Sequence, residues 1–385
     1  MTQPLIVEST EGAGIRDAAQ RLHPLFERVA QLYLQRSDVR DLFPEYQKLL
    51  GWLRAAPHLD PINRICRIDG TNSESARYRV LEMNAVCPGG VTFVPRMHRH
   101  WSTQIDTADV SSAARQRLVE DRLLFARALQ TCHREQFGTN ARSAFIVTLR
   151  GRFDIEVAEM IEDLTALGVE TTTVDARAIR LREGLVVDDR GRRADLVYSN
   201  LDQLDLITDP DLEHYLDAAV SGQACFVNPL LSQCIIGDKR CLAVLSAPAF
   251  ATDFDPAERA LLEAHIPWTR VLDRHDTALL DHLDANQGRF VLKPANRLGG
   301  DGVVIGARTA RSAWRAALFN SAKVGGYVAQ EYCPLPTVPG HPDLAVGLDT
   351  FLFNGQFAGY FARCSTDAVI NVTSGGYCLP VIEHA

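Results

Sequence analysis

The period of the apolar positions changes several times along this chain, and each change predicts a different element. From about Gly14 to Ala55 the apolar residues recur at helical spacing, with Leu22, Leu25, Phe26 and Val29 on one stripe, so this stretch reads as helices. Two short strands follow, 64–69 and 78–84, joined by a polar turn over 70–75. Period-two alternation in the second strand puts Leu81 and Met83 on one face and Val80, Glu82 and Asn84 on the other. Arg67 and Asp69 share one face of the partner strand, so a hairpin brings Asp69, Glu82 and Asn84 together with Arg67 at their edge. The next residues, Cys87-Pro88-Gly89-Gly90, form a turn whose glycines either let backbone approach a ligand or simply turn the chain. His98, His100 and Trp101 are expected on a surface loop. Residues 111–137 are expected to form one long helix with Leu118, Leu123, Leu124, Ala126 and Leu129 inward.

From Ser143 the pattern alternates. Strands are predicted at 144–149, 169–174, 184–187 and 196–199, and helices at 155–167 and 210–220. This is a small α/β domain with parallel strands, and it lacks the GxGxxG of a dinucleotide site. A helix at 257–265 precedes two apolar runs, 290–292 and 303–305, that flank the turn Gly299-Gly300-Asp301-Gly302. Glycines in such a hairpin let backbone N–H groups approach phosphate oxygens, and Lys293, at the end of the first run, adds a point charge beside them. No Gly-Lys-Ser/Thr closes the turn and a strand follows it, so it is neither a Walker loop nor a dinucleotide fingerprint; a plain hairpin turn is the competing reading. A third run, 327–332, ends in Gln330-Glu331-Tyr332. Strands at 350–353 and 357–363 enclose Asn354-Gly355, a strong hairpin signal; Arg363 ends the second strand, and Asn371 and Ser374-Gly375-Gly376 follow.

Composition narrows the picture. With 385 residues the chain is long enough for two or three packed lobes, and 46% hydrophobic with 23% charged residues is an ordinary globular balance. A formal net charge of -8 argues against a general nucleic-acid binder, so an anionic nucleotide would need local positive charge such as the lysines supply. No apolar run approaches membrane-spanning length and the N-terminus lacks the pattern of a secretion signal. Nine cysteines, none in a C-x-x-C pair, suit reduced thiols, and a cytoplasmic location is expected.

Lysine strand, glycine hairpin and a strand running into Gln330-Glu331 together resemble the nucleotide site of the ATP-grasp family. Lys239, in the stretch Gly237-Asp238-Lys239, matches that family's other lysine. The resemblance implies that Lys239 and Lys293 hold phosphates and that Gly299, Gly300 and Gly302 close over them. It also implies that Gln330, Glu331 and Tyr332 lie along the adenine, Glu331 and Tyr332 mainly through backbone groups. Glu82-Met83-Asn84 resembles the family's Glu-x-Asn metal strand, with Asp69 as the accompanying acid. The order is inverted relative to the common arrangement, since the metal hairpin comes first and the nucleotide segments last. This looks like the circularly permuted branch typified by the synthetase domain of glutathionylspermidine synthetase, whose Arg-x-Asp … Glu-x-Asn motif matches Arg67, Asp69, Glu82 and Asn84. The implied architecture is an α/β, permuted ATP-grasp fold with a pre-ATP-grasp domain that walls the substrate pocket. Its expected divisions are 1–100 (metal hairpin), 101–142 (helical connection), 143–225 (pre-ATP-grasp), 226–330 (nucleotide subdomain) and 331–385 (remainder of the ATP-grasp lobe).

The implied activity is ATP- and Mg2+-dependent ligation of a small-molecule carboxylate to an amine through an acyl phosphate. Arg67 would sit by the γ-phosphate and the acyl oxygen, Arg363 and Asn371 would face the phosphates and the metal, and Asp69, Glu82 and Asn84 would hold the metal. A small-molecule kinase and a non-catalytic nucleotide-binding protein remain as alternatives. Neither nucleic acid nor membrane is expected as a partner, and a homodimer is left open.

Overall fold

The structure, a computed structural model, describes residues 4–57, 59–72, 77–103, 116–149, 154–372 and 375–384. A short strand β1 (Leu5–Glu8) leads into the long helix α1 (Ser9–Gln35), which buries Leu22, Leu25, Phe26 and Val29 as the apolar stripe predicts. Three short helical pieces continue to Ala55. Strands β2 (Ile65–Thr71) and β3 (Arg79–Asn84) then pair antiparallel, with Arg67 opposite Asn84 and Asp69 opposite Glu82. The register slips at the next step, where Gly70 faces Val80 and Leu81 becomes an extra residue on β3. Such a bulge shifts the phase of the side chains. Val80 therefore turns into the core with Met83, whereas Leu81, Glu82 and Asn84 line a cavity. The expected grouping of Val80 with Glu82 and Asn84, and of Leu81 with Met83, is corrected by this slip.

Helix α2 (Phe93–Ser102) contains His98, His100 and Trp101, which are thus not on a loop. Val94 and His98 are buried, and His98 Nε2 accepts a hydrogen bond from the Val381 amide at 3.2 Å. Burial lowers the His98 pKa to about 4, which keeps the ring neutral and able to accept. The expected long helix is a single turn, Arg117–Glu120, followed by a break and by α3 (Leu124–Phe137); its residues before 116 lie outside the described residues. Asp121 makes the break, because its side chain accepts from the Leu123 amide at 3.0 Å and starts the helix anew.

The α/β unit comprises β4 (Ser143–Thr148), α4 (Asp154–Ala166), β5 (Glu170–Asp175), β6 (Leu196–Asn200), α5 (Glu213–Val220) and β7 (Cys225–Val227). Its strands are parallel in the order β5-β4-β6-β7. The predicted strand near 184–187 belongs instead to a small separate hairpin, in which Arg180–Arg182 pairs with Leu185–Val187.

The next unit comprises α6 (Arg240–Ser246), α7 (Pro256–His265), β8 (Thr269–Val271), α8 (Thr277–Ala285), β9 (Phe290–Pro294), β10 (Val304–Ile305), α9 (Arg311–Val324) and β11 (Tyr327–Glu331). An antiparallel sheet β8-β11-β9-β10 covers its own small core, centred on Leu283, Leu292, Trp314 and Leu318. The hairpin β12 (His341–Phe353) and β13 (Gln356–Ser365) turns at Asn354-Gly355, whose φ values of 50° and 73° are those an Asn-Gly hairpin turn requires. Strands β14 (Tyr377–Leu379) and β15 (Val381–His384) finish the chain.

One sheet, in the order β14-β13-β12-β2-β3, joins strands from both ends of the sequence, and β15 pairs parallel with β1. The metal hairpin expected from the sequence therefore sits in a sheet completed by residues almost 300 positions later. Among the described residues no helix is long and apolar enough to cross a membrane.

Candidate active site

A cavity of about 950 Å³ opens where the β2–β3 hairpin, the glycine turn, β12–β13 and the end of β6 meet. Lys239, Lys293, Arg67 and Arg363 all line it, as do Asp69, Glu82 and Asn84.

Lys239 is aimed by its neighbours. Asp238 and Arg240 are each 1% exposed and hold each other through two bonds of 2.9 and 2.7 Å. The Arg240 guanidinium also stacks over Phe43 and Tyr46, and the Tyr46 hydroxyl donates to Asp238 at 3.1 Å. A buried ion pair survives only when its hydrogen-bonding capacity is filled in this way. With its flanking residues locked inward, Lys239 turns to the cavity, where Nζ lies 2.9 Å from Glu82 Oε2 and donates to the Arg297 carbonyl at 2.8 Å.

Lys293 projects from β9 and donates to Gln330 Oε1 at 2.6 Å and to the Leu81 carbonyl at 3.3 Å. Burial lowers its pKa to about 8; the Glu82 carboxylate opposes the shift and Lys239 adds to it. Gln330 is 1% exposed and is itself fixed by Thr269, so its side chain orients the lysine. Glu331 and Tyr332 line the cavity, but their amides donate to the Trp268 and Arg289 carbonyls, and the Glu331 carboxylate pairs with Arg79 at 3.0 Å.

The glycine turn adopts φ values of 74°, 76° and 74° at Gly299, Gly300 and Gly302, a region that favours glycine. A Cβ on Gly300 would fall 2.3 Å from Val369 Cγ1, so the turn is pressed beneath the segment that follows β13. Asn371 clasps it from there, donating to the Gly299 carbonyl at 2.7 Å. Gly375 and Gly376 follow, whereas Ser374 lies outside the described residues.

The opposite side of the cavity carries a four-charge group. Arg67 donates to Asp69 at 2.6 and 3.1 Å, and Arg363 reaches the same carboxylate at 2.5 Å. Arg363 Nε also donates to Asp349 Oδ2 at 2.6 Å, and Arg67 Nε stands 3.8 Å from that oxygen. Burial alone would raise the Asp69 carboxyl, yet Arg363 and Arg67 beside it hold it well below the usual carboxylate range. Asp349 goes the other way: burial lifts it to about 6 despite the attraction of Arg363. Both guanidiniums lie over the Phe361 ring, at 5.5 and 5.9 Å.

Asn84 stands beside Glu82, with Nδ2 3.5 Å from Glu82 Oε1. Two carboxylates and an amide oxygen on one sheet face are a donor set of the kind Mg2+ takes, with water and phosphate oxygens completing its shell. Among the described residues no group of three or more His, Cys, Asp or Glu side chains has the geometry to hold a metal.

The α/β unit supplies the remaining wall through Glu156, Asn200, Leu201 and Asp202. Glu156, 4% exposed, accepts from the Gly90 amide at 2.8 Å and so fixes the Cys87–Gly90 turn; burial raises its carboxyl. Burial likewise raises the Cys87 thiol well above its ordinary value, which makes it a poor nucleophile. Asn228, just after β7, ties this unit to the hairpin: its amide group bonds the Arg64 and Ile65 amides and the Ile65 and Ala85 carbonyls, all at 2.6–2.9 Å.

Sequence reasoning left Asp349, Glu156, Asn200 and Asn228 without a role. Only Asp349 carries a local signal, an acid inside the apolar run Leu348–Leu352 of β12.

Sheet order and cavity together define the class, an ATP-grasp fold in its circularly permuted order with a pre-ATP-grasp α/β domain. The sequence profile described as glutathionylspermidine synthase preATP-grasp matches residues 4–378. The chain belongs to that family. No protein of curated function matches it in sequence. Among solved structures, a protein of Methylobacillus flagellatus KT assigned as a gamma-glutamylcysteine synthetase is 13% identical, with 99% of this chain and 90% of that one covered at a TM-score of 0.49. The D-cycloserine synthetase DcsG is 18% identical over 61% of this chain and 74% of that one, at 0.38. The D-alanyl-alanine synthetase A of Vibrio cholerae is 12% identical over 58% and 66%, at 0.33.

Proposed function

We propose that this chain is an ATP- and Mg2+-dependent ligase that joins the carboxylate of an amino-acid-like small molecule to an amine by way of an acyl phosphate. The observation that carries the reading is the convergence, in one cavity walled by a second unit, of two lysines, two arginines and an Asp–Glu–Asn oxygen set. Lys239 and Lys293 would bind the phosphates, since both end in that cavity and are held by neutral or acidic partners that an anion can replace. The backbone of the glycine turn would cover them. Asp69, Glu82 and Asn84 would hold Mg2+, which supplies neutralisation of the phosphate charge. Arg67 and Arg363 would balance the charge that develops as the carboxylate takes the phosphoryl group, a contribution of about 10²–10³ in rate for one fixed donor. The wall formed by Glu156, Asn200 and Asp202 would receive the two organic substrates.

The test is product analysis after incubation with ATP, Mg2+ and a panel of amino acids and polyamines. Ligation yields ADP, free phosphate and an amide in equal amounts. A kinase yields ADP and a phosphorylated acceptor without free phosphate, and a binding protein yields no product. Glu82→Ala should abolish turnover and leave the thermal melt close to that of the parent; full activity in this variant would refute the site.

A further inference from the structure

We infer that Asp349 is a positioning residue for the proposed ligation: its carboxylate is the fixed anchor that aims Arg363, and through it the arginine pair, at the group being transferred. The inference rests on the ligase reading and adds to it a residue that takes no part in binding nucleotide or metal.

Asp349 is 1% exposed in the second half of β12, Leu344–Phe353, where Thr350 is the other polar residue. An isolated carboxylate there would be costly, so its retention demands a compensating partner. Both of its oxygens are engaged. Oδ2 accepts from Arg363 Nε at 2.6 Å and faces Arg67 Nε at 3.8 Å, and Oδ1 lies 3.4 Å from the Gly70 amide at the bulge of β2. Two hydrogen bonds from different strands, from Arg363 on β13 and from the Gly70 amide on β2, hold the carboxylate, and Arg67 adds a positive charge 3.8 Å away.

Asp69 is the other carboxylate that meets both arginines, but it belongs to the oxygen set assigned to Mg2+. Any share of Asp69 committed to a cation is withdrawn from Arg363 and Arg67. Asp349 has no second assignment and keeps Arg363 Nε, so the free edge of the guanidinium holds its direction whatever Asp69 does. Phe361 lies under both guanidiniums, at 5.5 and 5.9 Å, and adds a cation–π contact to each. Orientation of this kind matters to rate because a displacement of about 1 Å can cost about 10²-fold.

Asp349→Asn keeps the shape and removes the anchoring charge. Expected results are a fall in kcat of about 10²-fold and a Kd for ATP with Mg2+, measured by calorimetry, within about threefold of the parent. The double variant Asp349→Asn/Arg363→Ala should be no slower than Arg363→Ala alone, because Asp349 acts through Arg363; a merely structural role would add its own factor. Asp349→Glu retains the charge and serves if Asp349→Asn does not fold. It should lose kcat at unchanged Kd, since the longer side chain displaces the guanidinium. A parental kcat in either single variant, or additive losses in the double variant, would overturn the inference.

A readout without turnover separates this inference from the ligase reading. The side-chain 15Nε signal of Arg363, identified by its loss in Arg363→Ala, should shift and exchange faster with water in Asp349→Asn. If that signal changes while no substrate pair yields an amide, the ligase reading fails and the anchoring stands. If the signal does not change, the anchoring fails whatever the activity.

Discussion

Glu27 offers the sharpest quantitative test of how the scaffold carries the site. It lies one turn after His23 on the buried stripe of α1, and the two side chains grip the backbone of Asn63, two residues before β2. The Asn63 amide donates to Glu27 Oε1 at 2.8 Å, and His23 Nε2 meets the Asn63 carbonyl at 2.8 Å. Burial lifts the Glu27 carboxyl from its ordinary 4.5 to about 7, although the Asn63 amide opposes the shift. The folded state thus binds this proton more tightly than the unfolded chain does. Stability should therefore fall as pH rises from 4.5 towards 7, and the full cost should be present above about 7. A tenfold difference in proton affinity is worth about 1.4 kcal/mol, so the separation amounts to about 3 kcal/mol. Glu27→Gln removes the charge and keeps the oxygen that Asn63 uses. Urea unfolding at pH 5 and pH 8 should show the variant more stable than the parent by up to about 3 kcal/mol at pH 8 and by no more than about 1 kcal/mol at pH 5. A stability difference that does not change with pH, or a variant weaker at pH 8, would refute the reasoning.

Lys239→Ala and Lys293→Ala should each weaken ATP binding at least tenfold with little change in melting temperature, and calorimetry showing unchanged affinity in both would remove them from the site. Because the Lys293 pKa is lowered to about 8, ATP affinity should decline as pH rises from 7 to 9, and Lys293→Ala should lose that slope. Joining the chain ends and reopening the chain near residue 140 should give a folded protein, since β1 and β15 already lie side by side; only insoluble material from several such proteins would count against it.

What could be read from the sequence was what lies close together in it. The β2–β3 hairpin, the glycine turn and the Asn354-Gly355 turn are each written within some twenty residues, and the hairpin with Asp69, Glu82 and Asn84 on one side was expected from them. The bulge at Leu81 was not legible, because strict alternation along β3 carries no mark of the register slip between Asp69 and Gly70. His98 reads as a surface residue amid Arg96, Arg99 and His100, and only the distant Val381 amide explains its burial. Asn228 and Glu27 resemble any polar residue in their segments; their roles come from backbone groups more than 35 positions away. The charge group was half legible: Arg67, Asp69 and Arg363 stood out by motif, and Asp349, which meets them only in the folded sheet, did not.

The neighbours in the central sheet also set a timetable for the chain as it is made. Ile68 of β2 pairs with Thr350 of β12, a partner about 280 residues further on. At synthesis rates of about 5–20 residues per second, the nascent hairpin waits some 15–60 s with one long edge unpaired. Until β12 and β13 are made, Arg67 and Asp69 are without two of their charged partners, Asp349 and Arg363. The cavity is complete only when the last strands dock, and a chain truncated before β12 would leave an open sheet edge for chaperones to shield.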